Sequence, residues 1–238
     1  MEKQENVSAR NMYARLGFWS ALVCAIGAVA YGVISIIVAA TDVSALTFDT
    51  YAKFIANYSP LPTFAILTPP FLVALIFPIL ALSIYATASD ERRPLALLAL
   101  IFAGVYTAVL GMGYWMQLTF VPQSIAEGNT VGLDLWLLWH PRSFFWSIES
   151  FGYFAMGISS MFLAFSYKAN ALPRRIRWGL ILMAPLGLAF MFNEALGIWP
   201  LASVTPLLLL FSWVILFAFV AFSLAHSFTK LRKTQLNP

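Results

Sequence analysis

Positive charge alternates along this chain, and that alternation restricts the fold more than any other feature. Six long apolar runs are separated by polar gaps, and twelve of the fourteen Lys and Arg residues fall at the two ends and at every second gap. The basic groups are Lys3, Arg10 and Arg15; Arg92 and Arg93; Lys168, Arg174, Arg175 and Arg177; and Lys230, Arg232 and Lys233. The intervening gaps hold only Lys53 and Arg142. Basic residues stay on the cytoplasmic side of a bilayer, and a helix of about 20 apolar residues crosses its hydrocarbon. The pattern therefore predicts an all-α, polytopic membrane protein of six transmembrane helices with N and C termini cytoplasmic.

Composition agrees. Charged residues make up 10% of the chain and apolar ones 61%, against roughly 25% charged in an average soluble domain. Six spans of about 20 residues use roughly half of the length, and what remains is short loops. The expected organisation is a cytoplasmic segment over 1–15, a six-helix domain over 16–225 and a basic tail over 226–238. The net charge of +4 is explained by the side facing anionic lipid, at about 1 kcal/mol per basic residue near the surface. Membrane lipid is thus an expected partner and nucleic acid is not. The one cysteine, Cys24, lies inside the first apolar run, which excludes an intrachain disulfide and suits a small buried apolar residue.

Along the chain, the spans are expected at about 16–40, 64–86, 95–120, 144–167, 178–199 and 204–225. Between the first two, Phe48, Tyr51, Phe54, Ile55 and Tyr58 recur at helical steps, which predicts an amphipathic helix on the outer surface within 41–63. Pro69, Pro70 and Pro78 in the second span and Pro185 in the fifth each delete a backbone donor. The freed carbonyls then need a hydroxyl such as Thr68, a neighbouring helix or water. Gly104, Gly111 and Gly113 in the third span suggest close helix approach. The apolar stretch Leu135 to Trp139 is too short to span and is expected to dip into the outer interface or cap the bundle. Trp115, Trp136, Trp139, Trp146 and Trp199 all map to the outer boundary, as an aromatic belt does.

Two residues break the apolar rule. Glu149 lies about five residues inside the fourth span, and Glu194, beside Asn193, about five residues inside the fifth; at 1.5 Å per residue each is roughly 7 to 8 Å below the outer boundary. Ionisable residues within spans usually face the bundle interior and mark a function, although at this shallow depth a glutamate also reaches water or simply links helices. His140, Pro141 and Arg142 immediately precede the fourth span, Tyr153 is one turn below Glu149, and Tyr114 and Gln117 approach the same level from the third. The expectation is an outward-opening ligand pocket lined by Glu149, Glu194, Asn193, Tyr153, Tyr114 and Gln117, with His140 and Arg142 at its mouth.

Sharper chemistries find no support. Only His140 and His226 are present, so paired intramembrane histidines for haem are absent. No span carries a lysine for a retinal Schiff base, and there is no phosphate-cradling glycine loop, metalloprotease helix or serine nucleophile turn. No cofactor or metal is expected, because Glu149, Glu194 and His140 have no ligand-like spacing.

Several short motifs carry a family resemblance. Arg15-Leu16-Gly17 opens the first span, Arg93-Pro94-Leu95 leads into the third, Gly152-Tyr153 lies in the fourth, and Leu172-Pro173-Arg174 is followed by Gly179. Together they resemble the bacterial six-span proteins grouped as domain of unknown function 4386, over residues 10 to about 225, with Arg175 to Trp178 inserted before the glycine. The resemblance implies a six-helix bundle in a prokaryotic plasma membrane and supplies no activity. The functional expectation is a protein that binds or transports a small or lipid-like molecule. The alternatives are a non-catalytic accessory subunit of a membrane complex or homo-oligomer, and an enzyme using the two glutamates as acid and base on a lipid-soluble substrate.

Overall fold

A computed structural model describes residues 2–41, 51–138, 140, 143–167, 172–198 and 204–236. The chain forms α1 (Glu2–Thr41), α2 (Tyr51–Ala56), α3 (Pro60–Thr87), α4 (Arg93–Leu118), α5 (Phe120–Ala126), α6 (Phe144–Ser166), α7 (Arg174–Leu196) and α8 (Val204–Leu236). Among the described residues, six stretches are long and apolar enough to cross a membrane: Asn11–Val38, Pro60–Thr87, Asp90–Ala126, Phe144–Ser166, Arg174–Leu196 and Leu208–Lys230. In hydrocarbon every backbone N–H and C=O must be satisfied within the chain, which the helix achieves. Breaks fall where the sequence stops that pattern: Pro60 starts α3, Pro94 sits in the first turn of α4, and Gly197 ends α7 in the left-handed conformation at φ 60°.

The spans pack in chain order. α1 lies against α3, α3 against α4, α4 against α6, α6 against α7 and α7 against α8, and α8 returns to pack along α1, closing a six-membered ring. Its interior is filled by Phe77, Tyr106, Leu110, Tyr114, Met156, Phe217 and their neighbours, all buried. Exposed Ile26, Val33, Leu75, Ile101, Phe151, Leu182, Ile215 and Phe222 cover the outside, an apolar surface that suits lipid and not water. At one end, called here the basic end, Arg92 reaches the carbonyl of Phe165 (3.4 Å) and Arg177 that of Tyr167 (3.2 Å). These bonds tie the 88–93 turn and the end of α6 to their neighbours.

The proline and glycine expectations resolve unevenly. Pro78 removes the donor that would bond the Ala74 carbonyl, and Thr107 Oγ1 of α4 supplies one at 2.6 Å. Thr68 does not take that part: its hydroxyl bonds Phe64 of its own helix (2.7 Å). Gly104 and Gly111 are not close-approach sites, since a Cβ on either meets nothing within 4 Å. A Cβ built on Gly113 would stand 3.2 Å from the Ile148 side chain. The tight crossing is α6 on α7, where Gly157 and Gly187 bring backbone against backbone.

At the other end a cap covers the ring. The described part of the expected surface helix is α2, only six residues long. Its apolar side turns to protein: Phe54 is buried with Val121, Leu133 and Leu137, and Tyr51, Ile55, Tyr58 and Ile125 pack around them. Burial pushes the Tyr51 phenol up, with the charge of Asp134 adding to it, while its hydroxyl donates to the Thr130 carbonyl. The 135–138 stretch caps the bundle, with Leu137 and Leu138 both buried. Phe48, Trp139, Pro141, Arg142 and Trp199 lie outside the described residues. Of the other belt tryptophans, Trp115 is exposed and Trp136 and Trp146 are half-buried.

Candidate functional site

Beneath the cap, one carboxyl is enclosed by the ring. Glu149 sits one turn into α6 on its inward side and is 1% exposed. Its Oε1 accepts two hydrogen bonds, from the hydroxyl of Tyr114 on α4 (3.1 Å) and from that of Tyr153 one turn along its own helix (3.1 Å). The two phenol oxygens are 3.5 Å apart. Glu149 Oε2 is buried with no partner among the described residues. Tyr31 of α1 joins the cluster through Tyr153.

The same tyrosines line a small cavity at the centre of the ring. Tyr31, Tyr106, Tyr114, Tyr153, Trp213 and Phe217 surround it, with Pro70 and Val73 from α3. Its volume, measured as room for the centre of a water molecule, is about 10 Å³. Trp213 tilts against Tyr153, with ring centroids 4.6 Å apart, and stacks on Phe217 at 5.2 Å. Its Nε1–H is buried without an acceptor among the described residues. Pro70 of α3 sits on the cavity wall and lacks the backbone N–H that a helix residue donates there.

The remaining residues expected in the pocket take other places. Glu194 is half-buried on α7 and lies within reach of Ser147 Oγ, 3.5 Å from its Oε1. Ser147 is exposed while Glu149 is buried, as a two-residue step of about 200° around a helix dictates. Glu194 therefore meets the exposed side of α6, while Glu149 points from the same helix into the bundle. Asn193 is buried on α7. Gln117 serves the cap: its Nε2 donates to the Trp136 carbonyl and its Oε1 accepts from the Leu138 N–H (3.0 Å). His140 is half-buried in the loop before α6, its backbone N–H donating to Leu137 (3.1 Å), with Nδ1 buried and unpaired among the described residues.

Tyr31, Tyr106 and Trp213 were not legible as site residues. The available signal was depth: tyrosine and tryptophan favour the interface, and a phenol in mid-span such as Tyr106 needs a polar neighbour inside the bundle. Comparison of the chain with family models, with curated proteins and with solved structures finds no match.

Proposed function

We propose that this six-span protein binds or transports a small molecule, and that Glu149 with its tyrosine cluster is the residue set that handles it. One observation carries the reading: a carboxyl sits wholly inside a membrane-type bundle with one oxygen unpartnered among the described residues and none of the described basic side chains bonded to it. A lone carboxylate is very costly in such surroundings, and ionisable groups inside spans typically mark ion or substrate sites. The fold offers the means of opening as well. Pro69, Pro70 and Pro78 lie inside the unbroken α3 and Pro185 inside the unbroken α7, and each removes a backbone donor that would otherwise hold its helix regular, which makes these two helices the ones that part most readily.

In the closed arrangement the cavity admits only a water-sized body, so a larger ligand enters when the cap and the helices part. With basic ends cytoplasmic in a prokaryotic plasma membrane, the cap faces outward and entry is from outside. Acid and base chemistry by paired glutamates has less support, because Glu194 meets the exposed Ser147 side of α6.

The test is to purify the wild-type protein, E149Q and E194Q with native lipid and to identify retained small molecules by mass spectrometry. A molecule held by the wild type and E194Q and missing from E149Q supports the reading. Identical extracts from all three contradict it.

A further inference from the structure

We infer that the central cavity takes one water molecule, and that this water, the hydroxyls of Tyr114 and Tyr153 and the carboxyl of Glu149 form a site for a single exchangeable proton. The inference rests on the reading of Glu149 as the functional carboxyl and adds the ion that it handles. Three observations carry it.

Both phenols spend their O–H protons on Glu149 Oε1. The lone pairs that their oxygens keep can then only accept. On another wall of the same cavity, Trp213 has a buried Nε1–H with no acceptor among the described residues. The three residues that carry this donor and these two acceptors thus all line one space of about 10 Å³. A buried water needs roughly 10 to 15 Å³ by this measure and two to four polar partners, so one water fits and an organic ligand does not. It would accept from Trp213 and donate to the tyrosines.

That arrangement gives a proton a route with balanced bonds. A proton reaching the water passes to the Tyr153 oxygen while the Tyr153 O–H proton passes to Glu149 Oε1. Water and phenol end neutral, and the carboxylate has become a carboxylic acid. Only O–H bonds are broken and made, and the unpartnered Oε2 leaves the carboxyl free to rotate its new proton away from the tyrosines. The titratable groups around Glu149 are Tyr31 on α1, Tyr106 and Tyr114 on α4, Tyr153 on its own helix and Glu194 on α7, with Cys24 of α1 facing Tyr106. The α3 and α8 walls present Pro70, Val73, Trp213, Val214 and Phe217, none of which titrates.

The experiment is infrared difference spectroscopy of the full chain in lipid vesicles, between acidic and alkaline buffer, in H₂O and in D₂O. A carboxylic-acid C=O band is expected in the wild type and in E194Q, shifted in D₂O and lost in E149Q. Y114F and Y153F, which keep the carboxyl and remove one donor each, are expected to move the band, so the idea stays testable even where E149Q does not fold. W213F is expected to keep the band and lose its fast deuterium exchange. A band unchanged in E149Q, or unmoved in both tyrosine variants, overturns the inference. Solute retention is read separately: retention that depends on Glu149 without a titrating band removes the proton site alone, and a Glu149 band in protein whose solute content ignores E149Q removes the solute reading alone.

Discussion

Gly187 of α7 lies so close to Tyr153 of α6 that a Cβ built on it stands 2.5 Å from the Tyr153 carbonyl oxygen. Gly157 makes the reciprocal contact, its Cβ position 2.5 Å from the Met183 carbonyl oxygen. The helix that carries Glu149 and Tyr153 is therefore seated by two glycines, and the position of the carboxyl cluster depends on them.

Replacing Gly187 by alanine is expected to push α7 off α6 and destabilise the bundle by about 1 to 3 kcal/mol, the usual range for overpacking. G104A, where nothing stands within 4 Å, is expected to stay within about 0.5 kcal/mol of wild type. Thermal unfolding in the same detergent or lipid, with both variants side by side, checks this. Equal behaviour of the two would contradict the packing described here.

Thr107 is expected to matter through its hydroxyl alone. T107V keeps the shape and removes the donor that satisfies the Ala74 carbonyl opposite Pro78, leaving a carbonyl unpaired at a cost of about 1 to 3 kcal/mol. T68V loses a bond within its own helix and is expected to be near neutral. The midpoints of unfolding of the two variants decide it.

The difference between those threonines also shows what the sequence could convey. Charge alternation and apolar length locate all six spans, with ends that differ from those of the structure by up to six residues, because exclusion of charge from lipid acts on each segment by itself. Ring order and the helix-crossing points depend on which faces meet, and single-sequence periodicity is weak when a helix is apolar all round. Hence nothing in the sequence sets Gly157 and Gly187 apart from Gly104 and Gly111, or Thr107 from Thr68. In the site, Glu149, Tyr114 and Tyr153 could be read together because one turn of helix and a shared depth join them. Tyr31, Tyr106 and Trp213 come from other helices whose rotation no local signal fixes. Gln117 was placed at the right level but holds the cap.

Q117L is expected to release that cap. The side chain bonds the backbone at both Trp136 and Leu138, and its loss leaves one buried and one half-buried backbone group without that partner. Faster proteolysis within 127–138 is the expected readout, with the six spans intact. Cleavage no faster than in wild type would mean that the apolar cluster of Phe54, Val121, Leu133 and Leu137 holds the cap by itself.

A single cysteine placed at Gly128 in the cap and another at Ala171, within the basic sequence stretch from Lys168 to Arg177, each in a C24A background, test the orientation expected from the basic residues. A membrane-impermeant thiol reagent added to intact cells is expected to label position 128 and to reach 171 only after permeabilisation. The reverse pattern would invert the bundle and place the cap inside.

Enclosure of Glu149 beneath the cap is the claim on which site, ligand entry and proton exchange all depend, and carboxyl modification tests it most directly. Vesicle-embedded protein treated with a water-soluble carbodiimide and an amine, then mapped by peptide mass spectrometry, is expected to be modified at half-exposed Glu194 and spared at Glu149, with Glu149 becoming reactive in Q117L. Modification of Glu149 as readily as Glu194 in the wild-type protein would contradict the account.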